Sequence, residues 1–269
     1  METIFILYDN EKLENPDSDV IYEVPDRIEK YTDNEIYDNG FDYISRSQIG
    51  IWLSTESAEE NYGKVITYLK DHLIHRNDME GTVQIYISEK DTYLPEECRL
   101  VYDGEKAFAN DKIRLEKRVQ KATGITLRLI GMITQENPAV RKELEEKISG
   151  LEDMDEQWQH CIDVMKKYHY VCQCDFGLER AEFVKRMREL EGVKAGNLPV
   201  NEAIFEEGKK INAWCNKLDE QWESTEFFLA AFSLEDNTII AFPYRVDIMD
   251  DLIFTAREIG VRITYVAEI

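Results

Sequence analysis

Two cysteines one residue apart, Cys172 and Cys174, are the first place to look for chemistry. With His160 and Cys161 upstream they offer the thiolates and imidazole that zinc prefers. The spacing argues against that use, because zinc motifs place two to four residues between their cysteines, in a turn. On a strand, residues two apart share a face. Tyr170, Cys172, Cys174 and Phe176 would then line one face, and the outer two mark it as core. Buried cysteine packs as a small hydrophobe. His72 and His75 lie three apart near the end of a helical pattern. They could share a ligand face, or serve as cations at a helix C-terminus. Asp17-Ser18-Asp19 and Asp33-Asn34-Glu35 look like pieces of calcium loops, but the twelve-residue frame with its central Gly and closing Glu is missing. No phosphate-cradling Gly-Lys-Ser/Thr loop, dinucleotide glycine fingerprint or Gly-x-Ser-x-Gly elbow occurs. No metal, cofactor or catalytic residue is expected on these grounds.

Charge is the stronger signal. The 269 residues carry a formal charge of −23, and the first 42 hold 13 acidic side chains against 3 basic ones. Such a surface repels phosphate backbones and draws basic partners. Direct nucleic-acid binding is therefore not expected. Within the acidic stretch, Glu11, Glu14, Asp17 and Asp19 are the expected partner-steering residues. The four tryptophans, Trp52, Trp158, Trp214 and Trp222, suit core positions; Trp222, in the polar run Asp219-Glu220-Gln221-Trp222-Glu223, either caps a core or serves as a partly exposed interface anchor. The longest apolar runs fall far short of the ~20 residues a membrane span needs. The N-terminus lacks a basic flank and a long apolar stretch, and five cysteines is an odd count, so a cytoplasmic protein with reduced thiols is expected.

The elements that must position these residues read as α+β. Thr3–Tyr8, Val20–Val24 (stopped by Pro25) and Ile49–Leu53 suggest strands, with Asp38-Asn39-Gly40 as a turn. Ser57 and Glu60 form a capping-box pattern before Tyr62, Val65, Ile66, Leu69 and Leu73 at helical spacing. Val83–Ile87 and Arg99–Tyr102 complete a small unit, and a boundary is placed at Gly104, giving regions 1–104 and 105–269. Lys106–Arg128 is locally basic and suits a helix with a solvated face, or one that meets the acidic unit; Phe108 is among its apolar residues. Asn137-Pro138 starts a helix running to about Gly150, and Met154–Met165 marks another. Then follow a strand (Tyr170–Phe176), helices (Glu179–Leu190 and Val200–Leu218), two strands (Phe227–Phe232 and Thr238–Phe242), a helix (Val246–Ile259) and a strand (Arg262–Val266).

That order is the ferredoxin-like, split βαβ one, for which a four-stranded antiparallel sheet with helices on one face is expected. Its second strand, Phe227–Phe232, would be an edge that is apolar on both faces and needs cover. The N-terminal unit, the Ile125–Met165 helices, or a second chain in a homodimer could supply it.

Asn137-Pro138-Ala139-Val140-Arg141, Tyr170 through Phe176 and the run from Phe227 through Ile263 resemble an uncharacterised bacterial family of domains of unknown function, over about 125–269. The resemblance implies no activity, since that family has none assigned. In topology and charge alone the region is similar to ferredoxin-like acidic inhibitors such as the regulator of ribonuclease activity B, and no residue carries over.

Together these readings predict a non-enzymatic cytoplasmic binding module, of immunity or inhibitor type, masking a basic partner such as a toxin or nuclease. The alternative is a small-molecule enzyme with its site in a cleft between the two regions.

Overall fold

The computed structural model describes residues 1–16, 19–107, 111–175, 177–234 and 238–266. Asp17, Phe108, Phe176 and the turn at 235–237 lie outside them. The chain is α+β with two antiparallel sheets, and divides into two units, Met1–Ala122 and Thr123–Ile269.

The first unit runs β1 (Glu2–Asp9), α1 (Val20–Tyr31), β2 (Ile36–Tyr43), β3 (Gln48–Thr55), α2 (Ala58–Asp71), β4 (Val83–Ser88), β5 (Arg99–Asp103), α3 (Gly104–Ala107) and the start of α4 (Asp111–Thr134). Its sheet has the order β2-β3-β1-β4-β5. Alternation sorts the strands: Ile4, Ile6, Ile49, Ile51, Leu53, Val83, Ile85 and Ile87 face α1 and α2 in one core. On the reverse face Phe5 stacks on Trp52 at 4.0 Å. Ser57 caps α2 by accepting from the Glu60 N–H.

Two local expectations are corrected here. Val20–Val24 is not a strand but the start of α1, with Pro25 inside the helix. Pro25 forfeits a hydrogen bond, yet Val20, Ile21, Val24 and Ile28 fall at helical spacing and are all buried, which outweighs the local breaker. Asp38-Asn39-Gly40 is not a chain-reversing turn but a bulge within β2, where the register against β3 shifts between Asp38 and Phe41. Gly40 supplies the positive φ of +91° that the bulge requires.

The basic stretch is not wholly solvated either. Lys121 is 8% exposed and its ammonium meets the Asp78 carboxylate at 2.6 Å and the Leu69 carbonyl at 3.0 Å. Arg118 pairs with Glu14 at 2.6 Å. The start of α4 is thus pinned by charge to the acidic part of its own unit.

The second unit continues with α5 (Pro138–Ile148), α6 (Met154–Lys167), β6 (Cys172–Asp175), α7 (Arg180–Glu189), α8 (Glu191–Ala195), α9 (Ile211–Trp222), β7 (Phe227–Leu234), β8 (Thr238–Arg245), α10 (Met249–Glu258) and β9 (Ile263–Tyr265). The helix expected over Val200–Leu218 begins only at Ile211. Gly208, at φ +77°, interrupts the helical pattern. Val200 and Phe205 are buried from a loop whose carbonyls accept from Arg188 and Arg180.

The strand order β6-β8-β7-β9 departs from the ferredoxin-like one. β9 pairs with β7, not beside β6, so β7 lies inside the sheet and β6 and β9 are the edges. A right-handed β8–α10–β9 connection running that way puts α10 on the face opposite α7–α9. Both faces are consequently covered. Cys172, Cys174, Leu229, Ala231, Ile239 and Ala241 pack with α7 and α9 in one cluster. On the other face Trp158 of α6 meets Phe232 edge-on at 4.9 Å. From Ala230 to Phe232 the apolar strand is thus an inner one, with β8 and β9 on either side and α6, which precedes β6, against Phe232.

Where β9 ends, one amide of β7 needs a partner. The Leu229 N–H donates to Asp219 of α9 at 2.7 Å. Burial pushes the Asp219 carboxyl up to about 6, although this hydrogen bond pulls it down. A raised carboxylate favours folding in its protonated form. Its contribution is full below the ordinary value of 3.8 and is lost as pH rises through about 6. Asp219→Asn keeps a carbonyl for the Leu229 amide and cannot ionise. Denaturant titrations from pH 4 to 7 are expected to show the variant gaining on the parent by roughly 1–2 kcal/mol, after allowance for the group's partial exposure. A pH-independent difference would refute this assignment.

Candidate functional site

The most distinctive surface of the first unit is the border between α1 and the edge strand β2. Only Ile36 of that strand is buried; Tyr37, Phe41 and Tyr43 are exposed by 42%, 36% and 63%. Register explains which way they point. Phe41 and Tyr43 pair with Ile51 and Ile49, so they share the helix-bearing face. Tyr22 of α1, 57% exposed, meets Phe41 edge-on at 5.6 Å. Phe41 in turn meets Tyr43 edge-on at 6.0 Å. Three aromatic rings thus stand in a row at a sheet border, open to solvent.

Carboxylates share that face. Asp26 and Glu29 come from α1, and Asp38, which pairs with Leu53, from β2; Asp42, opposite Gly50, points to the other face of the strand. Burial, then the negative charges of Asp38, Glu29 and Glu23, push the Asp26 carboxyl up. Nearby, Glu23 is held by Arg27 at 2.6 Å and His75 at 3.0 Å. Beneath the row, the Tyr8 hydroxyl is buried without a hydrogen-bond partner. Its pKa is raised by burial and by the neighbouring Tyr43.

The residues singled out from the sequence are distributed differently. Glu11 is exposed on a single 3-10 turn, its N–H given to Asp9. Glu14 is committed to Arg118, and burial holds its carboxyl above the usual range against the pull of that arginine. Asp19 is exposed at the N-cap position of α1. Trp222 is not partly exposed: it is 0% exposed, and its indole N–H donates to the Pro199 carbonyl at 2.7 Å. That corrects its reading as an anchor, since the ring fills the core of the second unit.

The metal candidates are dispersed as well. Cys172 and Cys174 are buried with sulfurs 3.7 Å apart, and Cys161 and Cys215 are buried too. Burial pushes the Cys161 thiol up to about 12, and the hydrogen bond with Cys174 and burial push Cys172 well up. α2 ends before His72, which stacks on Tyr68 at 4.4 Å, while His75 turns to Glu23. Among the described residues no group of three His, Cys, Asp or Glu side chains is arranged to hold a metal ion, and no helix is long and apolar enough to cross a membrane. A depression of about 580 Å³ in the second unit is lined by Met132, Phe227, Pro243, Tyr244, Arg245 and Glu136. Its charged groups are half-exposed or more and already paired, Arg245 with Asp247 and Glu136 with Arg141.

The aromatic row was hidden from the sequence by two misread elements. With Val20–Val24 as a strand and Asp38–Gly40 as a turn, nothing brings Tyr22 to Phe41. The available signal was the alternation Phe41-Asp42-Tyr43 beside a helical Val20, Ile21, Val24, Ile28 pattern.

Fold and surface define a two-unit α+β protein with an acidic, aromatic sheet border. The chain belongs to DUF6630, a domain of unknown function, whose family model matches residues 87–267. That match begins in β4 and takes in β5, α3 and α4 as well as the second unit, and it leaves the aromatic border outside. No curated protein and no solved structure matches the chain.

Proposed function

We propose that this protein is a non-enzymatic cytoplasmic binding module whose first unit engages a basic protein partner. One observation carries the reading: Tyr22, Phe41 and Tyr43 stand exposed in a row on the face that also bears Asp26, Glu29 and Asp38. Exposed aromatic side chains give interfaces most of their binding energy, and a surrounding field of one sign steers the partner. The formal charge of −23 extends that field over the whole chain. An immunity or inhibitor role follows naturally. The acidic border would accelerate encounter with a basic active-site rim, and the rings would then seal it.

The test needs a purified partner, captured by cross-linking in the source cell and then isolated. Its association rate with the full chain is expected to fall roughly tenfold when Asp26 and Asp38 are both changed to Lys, since steering of this kind is worth 10-fold or more. High salt should produce the same loss in the unmodified protein, because screening shortens the reach of charge to a few ångströms. Glu14→Lys should act less, that carboxylate being already tied to Arg118. Association indifferent to both salt and the double reversal would defeat the reading.

A further inference from the structure

Among the described residues β2 is the outer strand of its sheet, with no strand beyond it to take its outward amides. Three amides of β2 are given to carboxylates of the same border. Gly40 donates to Asp38 at 2.8 Å, Tyr43 to Asp42 at 2.8 Å, and Asp38 to Glu29 at a long 3.5 Å. Such an edge resists its own copy, because two β2 strands side by side would set Asp38 and Asp42 against like charges. A strand bearing Lys or Arg meets the opposite sign. Its carbonyls can replace the carboxylates on the amides, and the released carboxylates can pair with its cations.

The faces of the border agree with this. Phe41 and Tyr43 overhang on the helix side with Tyr22 beyond them, and guanidinium groups pack on such rings. Asp26 and Asp38 lie on that same side, close enough for each charge to feel the other. The Tyr8 hydroxyl, next to Tyr43 and only 1% exposed as a residue, is buried without a hydrogen-bond partner beneath the same rings.

The geometry points to β2 as a strand-addition edge for an extended basic segment of the partner protein. Alternate Arg or Lys side chains of that segment lie over Phe41 and Tyr43 and against Asp26 and Asp38, while its backbone pairs with β2 on either side of the Gly40 bulge. This rests on the protein-binding reading above and specifies the shape and pattern of what is bound.

The probe is a short fluorescent peptide of alternating arginine and valine, titrated into the full chain at low salt and followed by anisotropy. Two comparison peptides carry backbone N-methyl groups, one on every arginine and one on every valine. Both keep all the charge, but each loses the amide donors of one strand edge. Only one edge can face β2, so one methylated peptide is expected to bind about tenfold weaker or worse, and the other nearly as well as the parent. Phe41→Ser and Tyr43→Ser should each weaken the parent peptide severalfold, with circular dichroism unchanged, since both rings are exposed. Amide exchange at Gly40 and Tyr43 should slow in the complex. If both methylated peptides bind as tightly as the parent, strand addition is overturned while charge-driven partner binding survives. If no arginine peptide binds at all, strand addition is likewise overturned, and the salt dependence of the captured partner decides the broader reading by itself.

Discussion

Replacing Lys121 by Met is expected to destabilise the first unit by about 3–5 kcal/mol, the range found when one partner of a buried ion pair is removed. The side chains of Lys121, Asp78 and Glu80 are 8%, 5% and 7% exposed. Lys121 lies 2.6 Å from Asp78 and 3.9 Å from Glu80, and also donates to the Leu69 carbonyl. Methionine fills much of the same volume, so the loss is electrostatic: two carboxylates stay buried without their cation. Burial already holds the Glu80 carboxyl above its usual range, with Lys121 as the main opposing influence. Without that influence Glu80 rises further, and its protonated form is the one the fold favours. The deficit should therefore be greatest at neutral pH and shrink on acidification. Adding Asp78→Asn should restore part of the loss, and a double-mutant cycle by urea unfolding should give a coupling above about 1 kcal/mol. Additive effects of the two changes would mean that the contact contributes nothing of its own.

That pair marks a limit of what the sequence discloses. The strands of the first unit were legible wherever apolar and polar residues alternate, as in Val83-Gln84-Ile85-Tyr86-Ile87, because the pleat translates period two directly into faces. Capped helices were legible too, since Ser57 and Asn137 act on amides two or three residues away. Lys121 meets Asp78 across 43 residues, and no local pattern encodes such a meeting. The same holds for strand order. Spacing identifies β6, β7, β8 and β9, but whether β9 lies beside β6 or β7 depends on which side the last crossover takes. Here that choice moved α10 to the opposite face and turned an expected edge strand into an inner one. The aromatic border escapes the sequence for a related reason. Glu11, Glu14, Asp17 and Asp19 were chosen for charge density along the chain, whereas the border that unites charge with exposed rings is made by α1 and β2, both misread locally.

Trp222→Ala decides between the two readings of that residue. Its polar sequence setting is compatible with a partly exposed ring or with a core cap, and Trp222 closes α9 with its side chain fully buried. It belongs to the cluster that also holds Trp214, Phe183 and Phe205 beneath β7 and β8. The flanking Glu220 and Glu223 are exposed, as one face of a helix end allows while its neighbour turns inward. Removing a buried indole costs about 3–5 kcal/mol from lost burial and the cavity left behind. The Pro199 carbonyl also loses the donor it meets at 2.7 Å. Against a typical domain stability of 5–15 kcal/mol, the second unit should melt roughly 10 °C lower or more. Trp222→Phe, which keeps most of the ring but not the N–H, should lose less than half as much. The measurement is a calorimetric melt of the full chain, in which the transition of the second unit moves and that of the first does not. Partner association, measured below the melting range, should be unaffected by Trp222→Phe. A variant that melts like the parent but binds poorly would return Trp222 to the surface role that its burial denies.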